Sequence, residues 1–475
     1  MIIMVKDMKY IKKITKKQIL YIMTLLILIL IPLTKLLGFY LQKYNVIESY
    51  TILNPNYILY LTIPFQVYLY LKDNKVSNTK SHIIDLLIMI LILATLTSSI
   101  TAINKKFAIF GNTFRYEGFF VILGYYLLIL NWKKYAEKDD IKRIIKILLI
   151  ITVFHCIYGL LQEYTKFSFI LRYTANNEMI SGLAFNPNFF ASLLVTSLAL
   201  TTSIYLTNDK YKKTIIFLTI LFTISLINTN TTGPLLTLFI VLFLQLIYLL
   251  ILKKFSFKKY IILILTIILT ITTTITINSK LFKITTCELC STYQMIFKEK
   301  KEVKEVVDAK PLTEEDLLKK PNPAESEGIT NGRLDIWKTS INIFKSYPLT
   351  GIGYDNFYLA YHKGKYYKIV FITDKNGNQK AIKRYFHIVD NPHNVYLHVL
   401  VSTGILGFIP YMLLLLIASL VCLKYKNIVL TSAFVAYSIQ AFANINVIQV
   451  VPIYFIIIGL ILSQTKELTN WVLFL

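Results

Sequence analysis

The sequence predicts an all-α polytopic membrane protein with about twelve transmembrane helices and one large extracytoplasmic loop between helices 9 and 10. Of the 475 residues, 55% are hydrophobic and only 16% are charged. The apolar residues form uninterrupted runs of about 20, the length that a helix needs to cross the hydrocarbon core of a bilayer. Lysine and arginine are concentrated in alternate loops between these runs, as the charge bias of membrane proteins requires. A soluble domain of this length would not carry so many such runs.

Twelve apolar runs define the predicted helices in chain order. The fourth run is shorter than the others, and the seventh and eighth could instead form one re-entrant hairpin. The runs lie at 19–38, 52–71, 83–103, 118–132, 144–161, 188–207, 214–229, 234–252, 260–278, 394–423, 428–446 and 449–464.

The distribution of basic residues predicts the orientation. If the N-terminus is cytoplasmic, the loops and tails on that side hold 25 lysines and arginines, whereas the short loops on the other side hold 6. This is the expected cytoplasmic enrichment, and an even number of spans places the C-terminus on the same side. The formal net charge of +25 then reflects topology and attraction to anionic lipid headgroups. The lysines are scattered in short juxtamembrane clusters, so no nucleic-acid partner is expected.

The loop divides the chain into three parts. The part before the loop is a membrane bundle of about nine helices, and the part after it returns to the membrane. Within the loop, a charged, proline-containing linker with little core of its own precedes a cap that contains an amphipathic helix. The boundaries are 1–278 for the bundle, 279–392 for the loop (279–329 linker, 330–392 cap) and 393–475 for the C-terminal helices.

The polar cluster Asn391-Pro392-His393-Asn394 lies where the loop re-enters an apolar helix. Imidazole has an unperturbed pKa close to neutral, so it can accept or donate a proton at this boundary. Asn391 suits a helix cap and Pro392 a first helical turn, which places His393 in that turn, facing water. The structural alternative is a capping or interfacial histidine. His398 follows His393 by five residues, too far round a helix to share its face closely.

Arginines on the outer side are few, and their planar, permanently charged fork suits bidentate binding of phosphate oxygens. Arg115 precedes the fourth apolar run, and Arg333 precedes the amphipathic helix. The alternative is a structural ion pair, of Arg115 with Glu117 or of Arg333 with Asp335. The outer-side arginines are Arg115, Arg172, Arg333 and Arg384.

Together these residues resemble the signature of the O-antigen ligase and O-antigen polymerase family of membrane glycosyltransferases. The topology is similar over nearly the whole chain, and the motifs are concentrated in residues 331–407. One departure is that Thr232 stands where many relatives carry the arginine of a Ser-Arg-Gly turn. The segments that carry the resemblance are Asn331-Gly-Arg333, Trp337, Pro348-Leu-Thr-Gly351-Ile-Gly353, His393-Asn394-x9-Gly404-x-x-Gly407, Phe185-Asn-Pro-Asn188 and Arg115-Tyr-Glu-Gly118.

The resemblance implies a GT-C-like fold and a chemistry. The expected reaction moves a glycan from a polyprenyl-diphosphate donor, such as undecaprenyl diphosphate, to an acceptor hydroxyl on the outer face of the bacterial plasma membrane. The transfer would be inverting and would need no metal or cofactor. The partners would be the donor, a glycan, lipid or protein acceptor, and membrane lipids. The implied roles are catalysis by His393 and Arg333, diphosphate binding by Arg115, Arg172 and Arg333, and support by Asn394, Asp390, Gly404, Gly407 and Asn188.

Two other functions remain open at this point. A protein O-glycosyltransferase would use the same donor chemistry with a side-chain hydroxyl as the acceptor. A flippase or transporter of lipid-linked sugars would need polar groups at mid-depth in the membrane, where His155 is the main candidate. The other candidates gather at the outer ends of the predicted helices, which favours the transferase.

Overall fold

The structure, a computed structural model, describes most of the chain. Arg172 and the predicted linker at 279–329 lie outside the described residues. The described ranges are 15–43, 54–72, 81–112, 115–164, 179–278, 333–361, 367–373, 379–385 and 389–467.

Within the described ranges, α-helices occupy all twelve predicted apolar runs, and three further short α-helices lie outside these runs. In chain order they are α1 (Lys16–Lys43), α2 (Asn56–Leu71), α3 (Ser81–Thr101), α4 (Lys105–Phe110), α5 (Phe119–Tyr135), α6 (Lys138–Tyr164), α7 (Pro187–Thr207), α8 (Lys212–Asn228), α9 (Thr232–Ile251), α10 (Phe257–Ile277), α11 (Arg333–Ser346), α12 (Phe357–Tyr361), α13 (Val395–Tyr425), α14 (Ile428–Ala443) and α15 (Val451–Ser463).

Seven of these helices are long and apolar enough to cross a membrane, as judged over the described residues: α1, α3, α6, α7, α9, α10 and α13. The other five that match predicted runs have 13 to 17 residues. The fold is therefore that of a multi-pass membrane protein, and the count of twelve crossings stays a prediction. α8 and α9 are separate helices joined by a short turn at 229–231.

Asparagine side chains begin several of the helices. The side-chain oxygens of Asn104, Asn186, Asn394 and Asn427 each accept a backbone N–H from the first turn of the helix that follows. Such caps satisfy donors that would otherwise have no partner at a helix start. The cap before α13 is therefore Asn394, not Asn391 as predicted, and the helix begins three residues later than expected.

The bundle has a central and a peripheral set of helices. α7 and α15 are buried on nearly all sides, as expected for helices that are apolar all round. α5 packs closely on α15, where a Cβ at Gly459 would collide with the Trp132 side chain. α10 exposes most of its apolar surface, a surface suited to lipid.

Successive helices run in opposite directions, so their ends form two groups. We call one the polar end, because it carries the residues predicted to form the site, and the other the lysine end. The polar end comprises residues 102–112, 115–118, 179–187, 333–361 and 389–394, and the lysine end comprises residues 136–138, 208–212, 252–256 and 426–427.

The predicted cap at 330–392 contains α11, α12 and a β-hairpin. The hairpin pairs β1 (Tyr367–Thr373) antiparallel to β2 (Gln379–Tyr385), with Tyr367 opposite Tyr385. The sequence pattern predicts only helices, so the hairpin is an addition to the all-α bundle.

A loop segment, residues 348–353, crosses α13 where that helix is broken. Gly404 has φ +61° inside α13, and the break leaves backbone groups without helical partners. The loop supplies partners: the N–H of Ile352 donates to the carbonyl of Val401 (3.0 Å), and the N–H of Ile405 donates to the carbonyl of Pro348 (2.9 Å). The loop is thereby held in the interior of the polar end, where an unpaired backbone group would be costly.

Glycines make this crossing possible. A Cβ on Gly404 would collide with the backbone of Leu349, and a Cβ on Gly351 would collide with the backbone of Ser402. Gly407 faces the side chain of Thr403 on its own helix. The prediction that Gly404 and Gly407 allow two helices to pack closely is therefore wrong. Gly404 makes room for the backbone of the loop, and Gly407 makes room for Thr403 on the preceding turn of α13.

Candidate active site at the polar end

His393 lies in a turn just before α13, not in the first turn of that helix as predicted. It is half-buried and has φ +54°, a conformation that histidine adopts more often than most residues. Its backbone N–H donates to Oδ1 of Asn391 (3.1 Å). The imidazole is thus held outside the helix, and Asn394 holds the helix start by accepting the N–H of Leu397 (3.0 Å).

Asn391 links this turn to a second histidine. Because Oδ1 of Asn391 accepts from His393, its Nδ2 must be the group that meets Nδ1 of His398, at 3.0 Å. An amide nitrogen only donates, so Nδ1 of His398 accepts and the ring proton is on Nε2. Oε2 of Glu117 lies 3.6 Å from the same Nδ1, beyond hydrogen-bond distance.

Glu117 is a fully buried carboxyl. Its two oxygens have no hydrogen-bond partner among the described residues. Burial raises the pKa of Glu117 well above its ordinary value, the nearby Asp355 raises it further, and Arg115 opposes the shift. The neutral acid is therefore the favoured form, because an unpaired charge at such a position is expensive.

Asp355 is also buried, but it accepts hydrogen bonds. Its Oδ2 receives the backbone N–H groups of Asn112 (2.7 Å) and Glu117 (2.9 Å). Burial and the charge of Asp390 raise the pKa of Asp355 to about 7, although these two hydrogen bonds and Arg115 lower it. The loop that crosses α13 is in this way joined to the segment that precedes α5.

Arg115 forms a bidentate ion pair with Asp390. Nε lies 2.6 Å from Oδ2 of Asp390, and Nη2 donates to Oδ1 at 3.0 Å. The guanidinium also lies over the ring of Phe189, 5.6 Å from its centroid, at the start of α7. The alternative prediction, an ion pair between Arg115 and Glu117, is therefore wrong. Asp390 precedes His393 by three residues, so the two backbones are within about 11 Å of each other.

Arg333 is the first residue of α11 and is half-buried. Partial burial lowers the pKa of Arg333, and a guanidinium stays charged after such a shift. One turn later on the same helix face, Nε1–H of Trp337 donates to the carbonyl of Pro392 (3.0 Å). This bond fixes α11 against the His393 turn. Asp335, the alternative partner of Arg333, lies instead 3.8 Å from Lys338.

The remaining predicted residues occupy different positions. Asn188 is in the first turn of α7, with an exposed side chain and with its carbonyl accepting from Asn444 (3.1 Å). Thr232 begins α9. His155, the mid-membrane candidate, is buried against Phe190, and its Nδ1 has no hydrogen bond within the described part of the chain.

Sequence reasoning missed four contributors: Asn391 as a linker, His398, Glu117 and Asp355. One signal was present, since His398 lies one helical turn after the capping Asn394 and so faces the same loop. In the sequence, Glu117 stands out only as a possible ion-pair partner for Arg115. Asp355 gave no signal, because its role depends on a loop that crosses a broken helix.

The arrangement suits an anionic ligand. Arg115 is paired with Asp390, three residues before His393, and Arg333 begins the helix that Trp337 holds against the His393 turn. The two buried carboxyls, Glu117 and Asp355, have raised pKa values. A raised pKa lessens the negative charge that these carboxyls carry near neutral pH, whereas the guanidinium groups of Arg115 and Arg333 attract an anion. Among the described residues, no group of three or more His, Cys, Asp or Glu side chains is arranged to hold a metal ion.

Fold and site together define a multi-pass membrane protein with a histidine turn and arginines at one end of a helical bundle. A family profile described as O-antigen ligase matches residues 217–412. This range contains Arg333, Asp390 and His393, whereas Arg115 and Asn188 lie before it. This match over residues 217–412 supports the O-antigen ligase and polymerase family that the motifs predict, and that family implies a glycosyltransferase-like activity. None of the curated proteins matches the chain.

Proposed function

We propose that this protein transfers a glycan from a polyprenyl-diphosphate donor to an acceptor hydroxyl on the outer face of the bacterial plasma membrane. The donor's lipid would lie in the bilayer, and its diphosphate would reach the polar end at the membrane surface. The family assignment supports the transfer of glycans. The observation that carries the proposal is the convergence of α11 and the Arg115 segment on one histidine turn.

Arg115 and Arg333 would bind the diphosphate. Arg115 is paired with Asp390 in this structure, so a diphosphate would have to replace that carboxylate or share the guanidinium with it. Arginine forms bidentate bonds with both groups, and the diphosphate carries more charge. Asp390 would thus act as a resting counter-ion. Arg172, outside the described residues, stays a further candidate for this role.

The transfer needs one bond to form and one to break. The acceptor oxygen would attack the anomeric carbon of the donor sugar while the bond from that carbon to the phosphate oxygen breaks, with inversion at the carbon. The electron pair of the broken bond stays on the leaving diphosphate, whose growing charge the arginines stabilise. The hydroxyl proton would pass to the imidazole of His393, and no metal is needed in this scheme.

The test uses the full-length protein in vesicles with a labelled polyprenyl-diphosphate glycan. His393→Ala should lower the rate of polyprenyl-diphosphate release by about 100-fold or more, since a general base contributes that much. His82→Ala is the matched control, because His82 is exposed at the start of α3, at the opposite end of the bundle, and should leave the rate unchanged. Full activity of His393→Ala would contradict the proposed catalytic role.

The same assay separates the alternatives. If the labelled donor crosses the bilayer and its diphosphate is never released, the protein is a flippase of lipid-linked sugars. If transfer occurs only when an exported protein is supplied, the acceptor is a side-chain hydroxyl. Transfer to a glycan or lipid acceptor supports a ligase or polymerase.

A further inference from the structure

A groove of about 1580 Å³ opens at the lysine end of the bundle, between α6 and α8. The ends of α7, α13 and α15 complete its wall, so it lies at the opposite end of the helices from the His393 turn. Pockets for small molecules usually have about 300–1,000 Å³. The groove is therefore larger than a drug-sized ligand requires.

One face of α6 changes from cationic to apolar along the groove. Lys138, Lys142, Lys146 and Ile150 follow each other at intervals of four residues, and all four line the groove. Residues at this spacing share a helix face. At 1.5 Å per residue, the lysines extend over about 12 Å, and Val153 lies about 10 Å further in. This depth is comparable to one leaflet, whose hydrocarbon is about 15 Å thick.

The rim of the groove has an excess of positive charge. Glu137 and Asp139 also line it, but Glu137 pairs with Lys17 (3.0 Å). The pair of Asp139 with Lys142 (3.1 Å) is almost fully exposed, and such pairs contribute little. Lys142 therefore remains available to another anion. Lys146 has no ion pair within the described part of the chain.

We propose that this groove is a binding site for one anionic phospholipid. Its phosphate would lie against Lys142 and Lys146, and its acyl chains would pack on Ile150, Val153 and Leu218. The charge pattern specifies this occupant, because a neutral lipid would leave the lysines without a counter-ion. A soluble anion would leave the apolar wall uncovered. The proposal is independent of glycan transfer, since it uses no residue of the polar end.

Lipid titration of the purified full-length protein, followed by native mass spectrometry, tests the headgroup. The variant K138Q/K142Q/K146Q should bind phosphatidylglycerol about tenfold or more weakly than the natural chain, because each basic residue near a membrane surface contributes to such binding. The matched control is K253Q/K254Q/K258Q. These three lysines are exposed at the same end, and none of them lines the groove, so the control should bind nearly as the natural chain does.

A photoreactive group on the acyl chain tests the location. Cross-links from such a phosphatidylglycerol should map to residues 145–153 and 214–218. The proposal is overturned if both lysine variants bind equally, if phosphatidylcholine fills the groove as well, or if inorganic phosphate displaces the lipid. It also fails if the label maps elsewhere or the groove is covered by a second copy of the chain.

Discussion

At the scale of single residues, the polar end is governed by how carboxyl groups are partnered. Asp390 makes two contacts with the guanidinium of Arg115, and Asp355 accepts two backbone N–H groups. Glu117 is buried, and its oxygens accept no hydrogen bond from the described residues. The three carboxyls thus differ in their partners: a guanidinium, two backbone N–H groups, or none among the described residues. Sequence spacing identified Arg115 and Asp390 as candidates, but it could not pair them, because 275 positions separate the two residues.

Asp355→Asn should change how stability depends on pH. In the folded chain the pKa of Asp355 is about 7, above its ordinary value of 3.8. The stability that goes with the protonated form is therefore fully present below about pH 4 and is lost as the pH rises towards 7. Asparagine keeps an acceptor for both N–H groups and cannot ionise. The difference in Tm, variant minus natural chain, should increase between pH 5 and 8, measured by thermal unfolding in detergent.

The control for this experiment is Asp139→Asn, since Asp139 is exposed at the other end of the bundle. Its Tm should stay parallel to that of the natural chain across the same pH range. Parallel curves for Asp355→Asn would instead show that Asp355 does not ionise differently in the folded state.

At the scale of elements, α13 is the helix that organises the polar end. Its start carries the His393 turn, and its break at Gly404 accepts the loop that delivers Asp355. A straight helix would satisfy its own backbone and leave the loop with no partners. The glycine spacing was visible in the sequence. That the break receives a loop rather than a helix was not, because only the folded chain brings residues 348–353 there.

Gly404→Ala should destabilise the fold by about 3 kcal/mol or more, because it adds strain at φ +61° and a collision with Leu349. Gly233→Ala is the matched control. Gly233 lies in α9, and a Cβ there would meet nothing within 4 Å, so alanine should stabilise by up to about 1 kcal/mol. Denaturation of both variants in the same detergent measures the difference. Equal stability of the two would mean that the loop does not depend on this break.

At the scale of the whole molecule, two chemically different ends are separated by an apolar bundle. The lysine end carries the short basic loops, and the polar end carries the ion pair, the buried acids and the histidine turn. The charge bias predicts that the lysine end is cytoplasmic and that both termini lie there. The same prediction has α11 and the hairpin outside the cell.

Single cysteines test this orientation. In a background without the native cysteines, Lys345→Cys on α11 and Lys210→Cys before α8 both introduce an exposed thiol. A membrane-impermeant maleimide should label position 345 in intact cells and position 210 only after the membrane is opened. The reverse pattern would place the polar end in the cytoplasm and remove it from any acceptor outside.

The sequence by itself determined the positions of the helices and the grouping of lysines at one end of them, and it indicated the family. These features are local in the sequence: apolar runs of fixed length, lysines between them, and the spacing of Gly404 and Gly407 after His393-Asn394. The thickness of the bilayer and the period of the helix are enough to predict helices from such runs. Only the tertiary structure decided which groups meet: Arg115 with Asp390, Asn391 with His398, and a loop with the broken α13. These contacts join segments far apart in the chain, or depend on a turn geometry that composition and period do not encode, so packing alone selects them.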